Sequence, residues 1–276
     1  MTVQSQPVLG ITGCAGAVGG QVAHRLAHYA PVLLARDPTR APDLGLQVRN
    51  CEYADEAAAV ATQRGIEVLF MVSAAEAPDR REQQRTFIRA AASAGVRHLV
   101  YTSFAGAAAD ATFTLGRDHH DTEEAIRESG MVFTILRDNF YADVILGFAD
   151  ESSVIRGPAG GRCVAAVARA DVADVAAVVL RDPDRHVDAT CTLTGAEALT
   201  LTEVAARAGA VLGRDLRFEN QTIEEAYASR KAYDVEQWQL DAWVSTYTAM
   251  PTDPAPTSRT TSQRCGSIGR GLSRKR

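Results

Sequence analysis

The chain has 276 residues, 46% of them hydrophobic and 23% charged, which is the composition of an ordinary soluble globular protein long enough to bury a full core. Its formal charge of -5 is uneven: residues 251–276 hold six Lys+Arg and one acidic residue, leaving -10 on residues 1–250. An acidic body argues against nucleic acid as a partner of the folded part. The opening Met-Thr-Val-Gln-Ser-Gln has neither a basic start nor a long apolar run, so secretion and membrane insertion are not expected and the cytoplasm is the default.

Pro7 to Ile11 reads as a short buried strand, and Val18, Val22 and Leu26 then recur at helical spacing. Gly10, Gly13 and Gly16 sit at the expected turn between them. Missing side chains there let backbone N–H groups approach a phosphate, and the helix N-terminus adds partial positive charge. The spacing Gly-x-x-Gly-x-x-Gly is one residue longer at its first gap than the common dinucleotide fingerprint. Cys14 lies in the same turn, where it either gains thiolate character or simply fills space under the loop. The other cysteines, Cys51, Cys163, Cys191 and Cys265, show no Cys-x-x-Cys spacing, so neither a zinc site nor a disulfide framework is indicated.

Pro31 to Ala35 is the second expected strand, ending in Arg36-Asp37-Pro38. A basic residue at this position favours a ribose 2'-phosphate and an acidic one the free hydroxyl. Arg36 therefore points to NADP(H), with Arg40 in reach, although Asp37 can also take a ribose hydroxyl. Gln47 to Tyr53, Glu67 to Ser73, His98 to Ser103 and Met131 to Leu136 continue the strand series, with helical patterns between. The expected fold is α/β, a doubly wound parallel sheet of the Rossmann-like kind over residues 1–150.

Beyond residue 150 the pattern loosens. Gly157 to Gly161 is a turn-rich link, Ala170 to Leu180 an amphipathic helix, Thr190 to Thr194 a strand and Thr202 to Leu212 a helix. Tyr233 to Tyr247 carries Trp238 and Trp243 and is expected over the cleft or at a subunit contact, as in a homodimer. Residues 151–250 are thus expected to form a smaller α/β substrate lobe. Residues 251–276, rich in Pro, Ser, Thr, Gly and Arg, are expected to be a disordered basic tail.

Several segments in order resemble the NmrA-like branch of the atypical short-chain dehydrogenase/reductases, and within it the NAD(P)H:quinone oxidoreductase type 2 group. They are Gly-Ile-Thr-Gly-Cys-Ala-Gly, Leu-Leu-Ala-Arg-Asp-Pro, Tyr-Thr-Ser-Phe-Ala-Gly, Thr-Glu-Glu-Ala-Ile-Arg-Glu-Ser-Gly, Thr-Ile-Leu-Arg-Asp-Asn-Phe-Tyr and Ala-Arg-Ala-Asp-Val-Ala. The resemblance runs from residue 8 to about residue 250; the tail departs from it. It implies NADP(H) held at the pyrophosphate by Gly10, Thr12, Gly13, Ala15, Gly16, Ala17 and Val18, with Arg36 at the 2'-phosphate. It further implies Ser73 and Thr102 beside the ribose and nicotinamide, and Asn139, Phe140 and Tyr141 at the substrate end.

Typical members of the wider family reduce carbonyls with Tyr-x-x-x-Lys. Here the only lysines are Lys231 and Lys275, so neither Tyr101 nor Tyr141 has one four residues on. In many NmrA-like proteins a lysine lies four residues before a glutamate; aligning that glutamate with Glu123 puts His119 in its place, as a ribose ligand or a proton source. Asp118-His119-His120-Asp121 is not expected to hold a metal, because adjacent helical residues point about 100° apart. A quinone needs less acid help than a ketone, and Phe140 and Tyr141 are candidates to stack on it. The expected function is hydride transfer from NADPH to a quinone-like acceptor without flavin, with His119 and Tyr141 as catalytic candidates. The alternative is a non-catalytic NADP(H)-sensing regulator; a third reading is a reductase or isomerase of a non-quinone metabolite.

Overall fold

Seven parallel strands form the centre of the computed structural model, which describes residues 6–252. In chain order the strands are β1 (Leu9–Thr12), β2 (Val32–Ala35), β3 (Val48–Asn50), β4 (Val68–Met71), β5 (His98–Phe104), β6 (Val132–Asp138), β7 (Val154–Gly157), β8 (Cys163–Val164), β9 (Ala189–Leu193), β10 (Leu199–Thr200) and β11 (Arg217–Asn220). The helices are α1 (Ala17–Leu26), α2 (Glu56–Gln63), α3 (Arg80–Ala94), α4 (Thr114–Glu128), α5 (Ala142–Leu146), α6 (Arg169–Arg181), α7 (Leu201–Leu212), α8 (Ile223–Arg230) and α9 (Gln237–Thr248).

The main sheet runs β3-β2-β1-β4-β5-β6-β9. Its central strands β1, β2 and β4 are buried on both faces, which is why they read as unbroken apolar runs. One face packs on α1 and α6 through Val22, Leu26, Val172 and Ala176, and the other on α3 and α4 through Phe87, Ile88 and Ile126. Helix starts are set locally: Asp55 caps α2, and Thr200/Glu203 and Thr222/Glu225 make capping boxes on α7 and α8. Strand order reverses between β1 and β4, so the ligand crevice of such a sheet opens at their carboxyl ends.

The division expected at residue 150 changes. Helix α6 and strand β9, both assigned beforehand to the lobe, complete the main sheet: β9 pairs in parallel with β6, from Thr134 opposite Ala189 to Asp138 opposite Leu193. The physical reason is coverage, since without them β6 is an open edge and the apolar face beside α1 is bare. Arg25 of α1 meets Asp174 of α6 at 2.5 Å across that layer. The lobe proper is built from β7, β8, β10 and β11 with α5 and α7 to α9, around a separate core of Ile145, Ile155, Val164, Leu201 and Tyr247. Gly157 is required there, because a Cβ would lie 2.3 Å from the Tyr247 ring. The basic tail lies outside the described residues from 253 onward, and among the described residues no helix is long and apolar enough to cross a membrane.

Candidate active site

The turn after β1 is closed by Gly13, at φ +62°, whose carbonyl accepts the Gly16 N–H at 2.8 Å. Ala15, Gly16 and Ala17 are exposed along it, and Val18 is buried against the sheet. The first-turn amides of α1 have no helical carbonyl to bond and carry the positive end of its dipole, which is the chemistry of a diphosphate cradle. Gly19, which spacing alone did not single out, lets α1 sit so close: a Cβ on it would be 2.4 Å from Gly13 O and 2.6 Å from Thr12 O.

Three expected cofactor residues have other work. Gly10 lies inside β1 rather than in the turn, and its missing Cβ makes room for Ile66 Cδ1 at 2.7 Å. Thr12 is buried in a closed ring in which its hydroxyl donates to Tyr53 OH (2.7 Å), Tyr53 OH donates to Val72 O (2.7 Å), and Val72 N–H donates back to Thr12 Oγ1 (2.9 Å). The ring ties the ends of β1 and β4 together and leaves no hydroxyl for a ligand. Thr102 is similarly buried, accepting the Ser73 N–H at 3.0 Å, so it places Ser73 rather than reaching the cleft itself. Cys14 is also a filler: its thiol points at Leu34 O, 3.6 Å away, and burial raises its pKa.

A cavity of about 350 Å³ continues from the turn, with Leu34, Arg36, Asp37, Arg40 and Ser73 among its walls. Arg36 and Arg40 stand exposed at its mouth. Asp37 does not face them as a free acid, because its Oδ1 accepts Thr39 N–H (3.0 Å) and Oγ1–H (2.7 Å), which hold its pKa below the usual value. Two guanidinium groups beside an occupied carboxylate suit a phosphate better than a neutral hydroxyl.

Ser73 to Glu76 are shared with a second, larger cleft of about 780 Å³ between the sheet and the lobe. Phe104, Phe113 and Phe140 form its aromatic wall, with centroids 5.0 Å (Phe104–Phe113), 5.0 Å (Phe104–Phe140) and 5.3 Å (Phe113–Phe140) apart. Trp243 and Tyr247 of α9 also line it, so that helix borders the cleft. Asn139 reaches the cleft wall but turns its Oδ1 back onto Phe140 N–H at 2.8 Å. Tyr141 lines the cleft with its hydroxyl on the carboxyl of Asp138.

His119 requires correction as a proton source. It borders the cleft, yet Arg80 Nη2, a donor only, lies 3.3 Å from Nε2, which leaves Nδ1–H to meet Tyr101 OH at 2.9 Å. Tyr101 passes the chain to Gln84 Oε1 at 3.1 Å. Burial, helped by the Arg80 charge, drives the His119 pKa well below its ordinary value, so the ring is neutral and holds Arg80 rather than a proton to give. One turn on, Glu123 is completely buried and ionised: it receives Ser103 Oγ–H (2.6 Å), Arg137 Nη2 (2.6 Å) and Arg127 Nη2 (3.0 Å), and these donors outweigh its desolvation.

The group that the sequence reading passed over is Asp138. It is 6% exposed at the end of β6, its side chain opposite in direction to Arg137, and among the described residues no cation pairs with it. Burial pushes its carboxyl up to about 8. The available signal was strand alternation, which assigns Arg137 and Asp138 to different sides; the burial that matters was not visible.

Residues 13–183 match the NAD(P)H-binding family. Quinone oxidoreductase 2 of Escherichia coli (strain K12) is 33% identical over 235 residues, 82% of each chain. A (4-alkanoyl-5-oxo-2,5-dihydrofuran-3-yl)methyl phosphate reductase of Streptomyces griseus is 37% identical over 223 residues, 78% of each. Among solved structures, the E. coli NADPH-dependent quinone oxidoreductase in complex with NADPH superposes with a TM-score of 0.80 at 31% identity, over 88% of this chain and 89% of that one. With its sheet, its glycine turn and these likenesses, the chain belongs to the NAD(P)H-binding family, in the NmrA-like branch that includes quinone oxidoreductase 2.

Proposed function

We propose that the protein is an NADPH-dependent reductase that delivers hydride to quinone-like acceptors, with no flavin between. The observation that carries this reading is that the two cavities share Ser73 to Glu76 in their walls, which sets the aromatic cleft beside the cavity that runs from the glycine turn. In this reading the amides of Ala15, Gly16, Ala17 and Val18 hold the diphosphate, Arg36 and Arg40 the 2'-phosphate, and Ser73 the nicotinamide ribose. Bound nicotinamide supplies the hydride. The chain supplies an apolar wall of mutually tilted rings, with Phe104, Phe113 and Phe140 excluding water around the acceptor, while Asn139 shapes the wall and Tyr141 offers a hydroxyl to the acceptor oxygen. The acidic body favours a small-molecule acceptor over nucleic acid.

The test is purified protein mixed with NADPH and 1,4-benzoquinone, followed by loss of the reduced-nicotinamide absorbance, with flavin content measured on the same sample. Turnover by flavin-free protein supports the proposal. Tight NADPH binding with no turnover across a panel of quinones would overturn it in favour of a cofactor-sensing role.

A further inference from the structure

Two carboxylates stand near the end of β6 in opposite states. Glu123, with four donated hydrogen bonds from Ser103, Arg127 and Arg137, is held as the anion. Among the described residues Asp138 has the Tyr141 hydroxyl and its own backbone N–H but no cation, and a carboxylate so placed gains little from ionising. We propose that Asp138 is the proton reservoir of the reduction, feeding the acceptor oxygen through the Tyr141 hydroxyl. This rests on the reductase reading above.

The geometry supports a relay in several ways. Asp138 and Tyr141 both line the large cleft, and their side chains touch each other there. Tyr141 is the N-cap of α5 and its backbone bridges to Val167, which fixes the main chain from which its side chain extends. The other groups near the pair neither replace nor discharge it. Tyr101 of β5, which feels the Asp138 charge, is bonded to His119, and Glu123 of α4 is bonded to the arginines. Asp143 and Arg169 flank Tyr141 but are ion-paired to each other, so their charges oppose. His119, which also borders the cleft, is neutral with both nitrogens engaged. Burial leaves the Asp138 carboxyl protonated through neutrality.

As hydride is delivered to one quinone oxygen and forms its O–H bond, the ring becomes aromatic and an electron pair moves onto the other carbonyl oxygen. The Tyr141 O–H bond breaks and a new O–H bond forms on that oxygen, while the Asp138 O–H proton passes to the tyrosine oxygen. One hydride and one proton convert quinone to hydroquinone. Asp138 is left as carboxylate and regains its proton from water once the product leaves.

The experiment compares wild type, Asp138→Asn and Tyr141→Phe on two probes, 1,4-benzoquinone and tetramethyl-1,4-benzoquinone, whose reduced oxygen is the more basic. Wild-type kcat on the tetramethyl quinone should be level below neutrality and fall tenfold per pH unit above about pH 8. Asp138→Asn should lose about 10²-fold at pH 6.5, the low end of general-acid effects, with the alkaline fall gone and KM changed less than threefold. The loss should be several-fold smaller on 1,4-benzoquinone, a difference that a merely structural role would not produce. Independently of turnover, ¹³C NMR of aspartate-labelled wild type should show one carboxyl titrating near 8 that is absent in Asp138→Asn. The relay is overturned if the variant keeps the alkaline fall, loses equally on both quinones, or if this carboxyl titrates in the ordinary range. Failure of wild type to reduce either quinone defeats the acceptor assignment instead, and the NMR titration still decides whether Asp138 stores the proton.

Discussion

Replacing Gly19 by alanine tests the cofactor cradle at the point where packing is tightest. The new Cβ would meet main-chain atoms only: Gly13 O at 2.4 Å, Gly13 C at 2.5 Å and Thr12 O at 2.6 Å. Restoring a van der Waals separation of about 3.5 Å moves the start of α1 away from the loop by about 1 Å. An amide-to-phosphate bond stretched from about 2.9 to about 3.9 Å no longer counts as one. With each charge-assisted bond contributing about 1.5–3 kcal/mol, loss of two amides weakens NADPH binding by about 10²- to 10⁴-fold. Gly10→Ala is the control, since the nearest atoms to its Cβ belong to the side chains of Ile66 (2.7 and 2.9 Å) and Leu69 (3.1 Å) and not to the loop backbone. It should lower stability by about 1–3 kcal/mol and leave NADPH affinity within about threefold. Fluorescence titration with NADPH, beside thermal unfolding of each variant, reads both effects. Unchanged affinity in folded Gly19→Ala, or an equal loss in folded Gly10→Ala, refutes the assignment of the cradle to Gly13 through Val18.

Arg36→Ala should lower the ratio of NADPH to NADH affinity about tenfold or more, because the second phosphate loses a charged donor and NADH has none to lose; an unchanged ratio by calorimetry removes its 2'-phosphate role. Glu123→Gln should destabilise by about 3–5 kcal/mol in urea unfolding, since it strands Arg137 and Arg127 against a neutral partner. The Glu123 pKa is lowered, so its stabilisation is present above the ordinary glutamate range and is lost as pH falls through the folded value. Asp138 runs the opposite way. Its carboxyl is raised from 3.8 to about 8, so its contribution is complete below about pH 4 and is lost as pH rises through about 8. Between pH 4 and 9 the wild type should therefore lose on the order of 5 kcal/mol more unfolding free energy than Asp138→Asn, and parallel curves would contradict the buried-acid assignment.

Much of the dinucleotide half is readable in order along the chain. Buried parallel strands announce themselves as apolar runs such as Val68–Met71, and the glycine turn between Leu9–Thr12 and Ala17–Leu26 marks where the backbone must be bare. The lobe is harder because its strands are two to four residues long and pair in twos, too short for a period to show. Ala189–Leu193 was legible as a strand, but nothing in five residues says which sheet they join.

At the site, identity and role come apart in a regular way. Arg36 and the turn residues can be proposed from sequence because the task proposed for them is tied to the end of one strand or the start of one helix. Gly10 and Gly19 differ only in what approaches them from elsewhere in the chain. The same holds for His119 and Asp138: local sequence supplies two titratable groups, and the protons they carry depend on desolvation and on partners 18 and 39 residues away in the one case and on a single hydroxyl in the other. Sequence by itself determined the parallel strand series as far as β6, the glycine turn and the family, since these follow from short-range pattern. Only tertiary structure decided which carboxyl keeps its proton, because that is governed by the surroundings a folded chain assembles from distant segments.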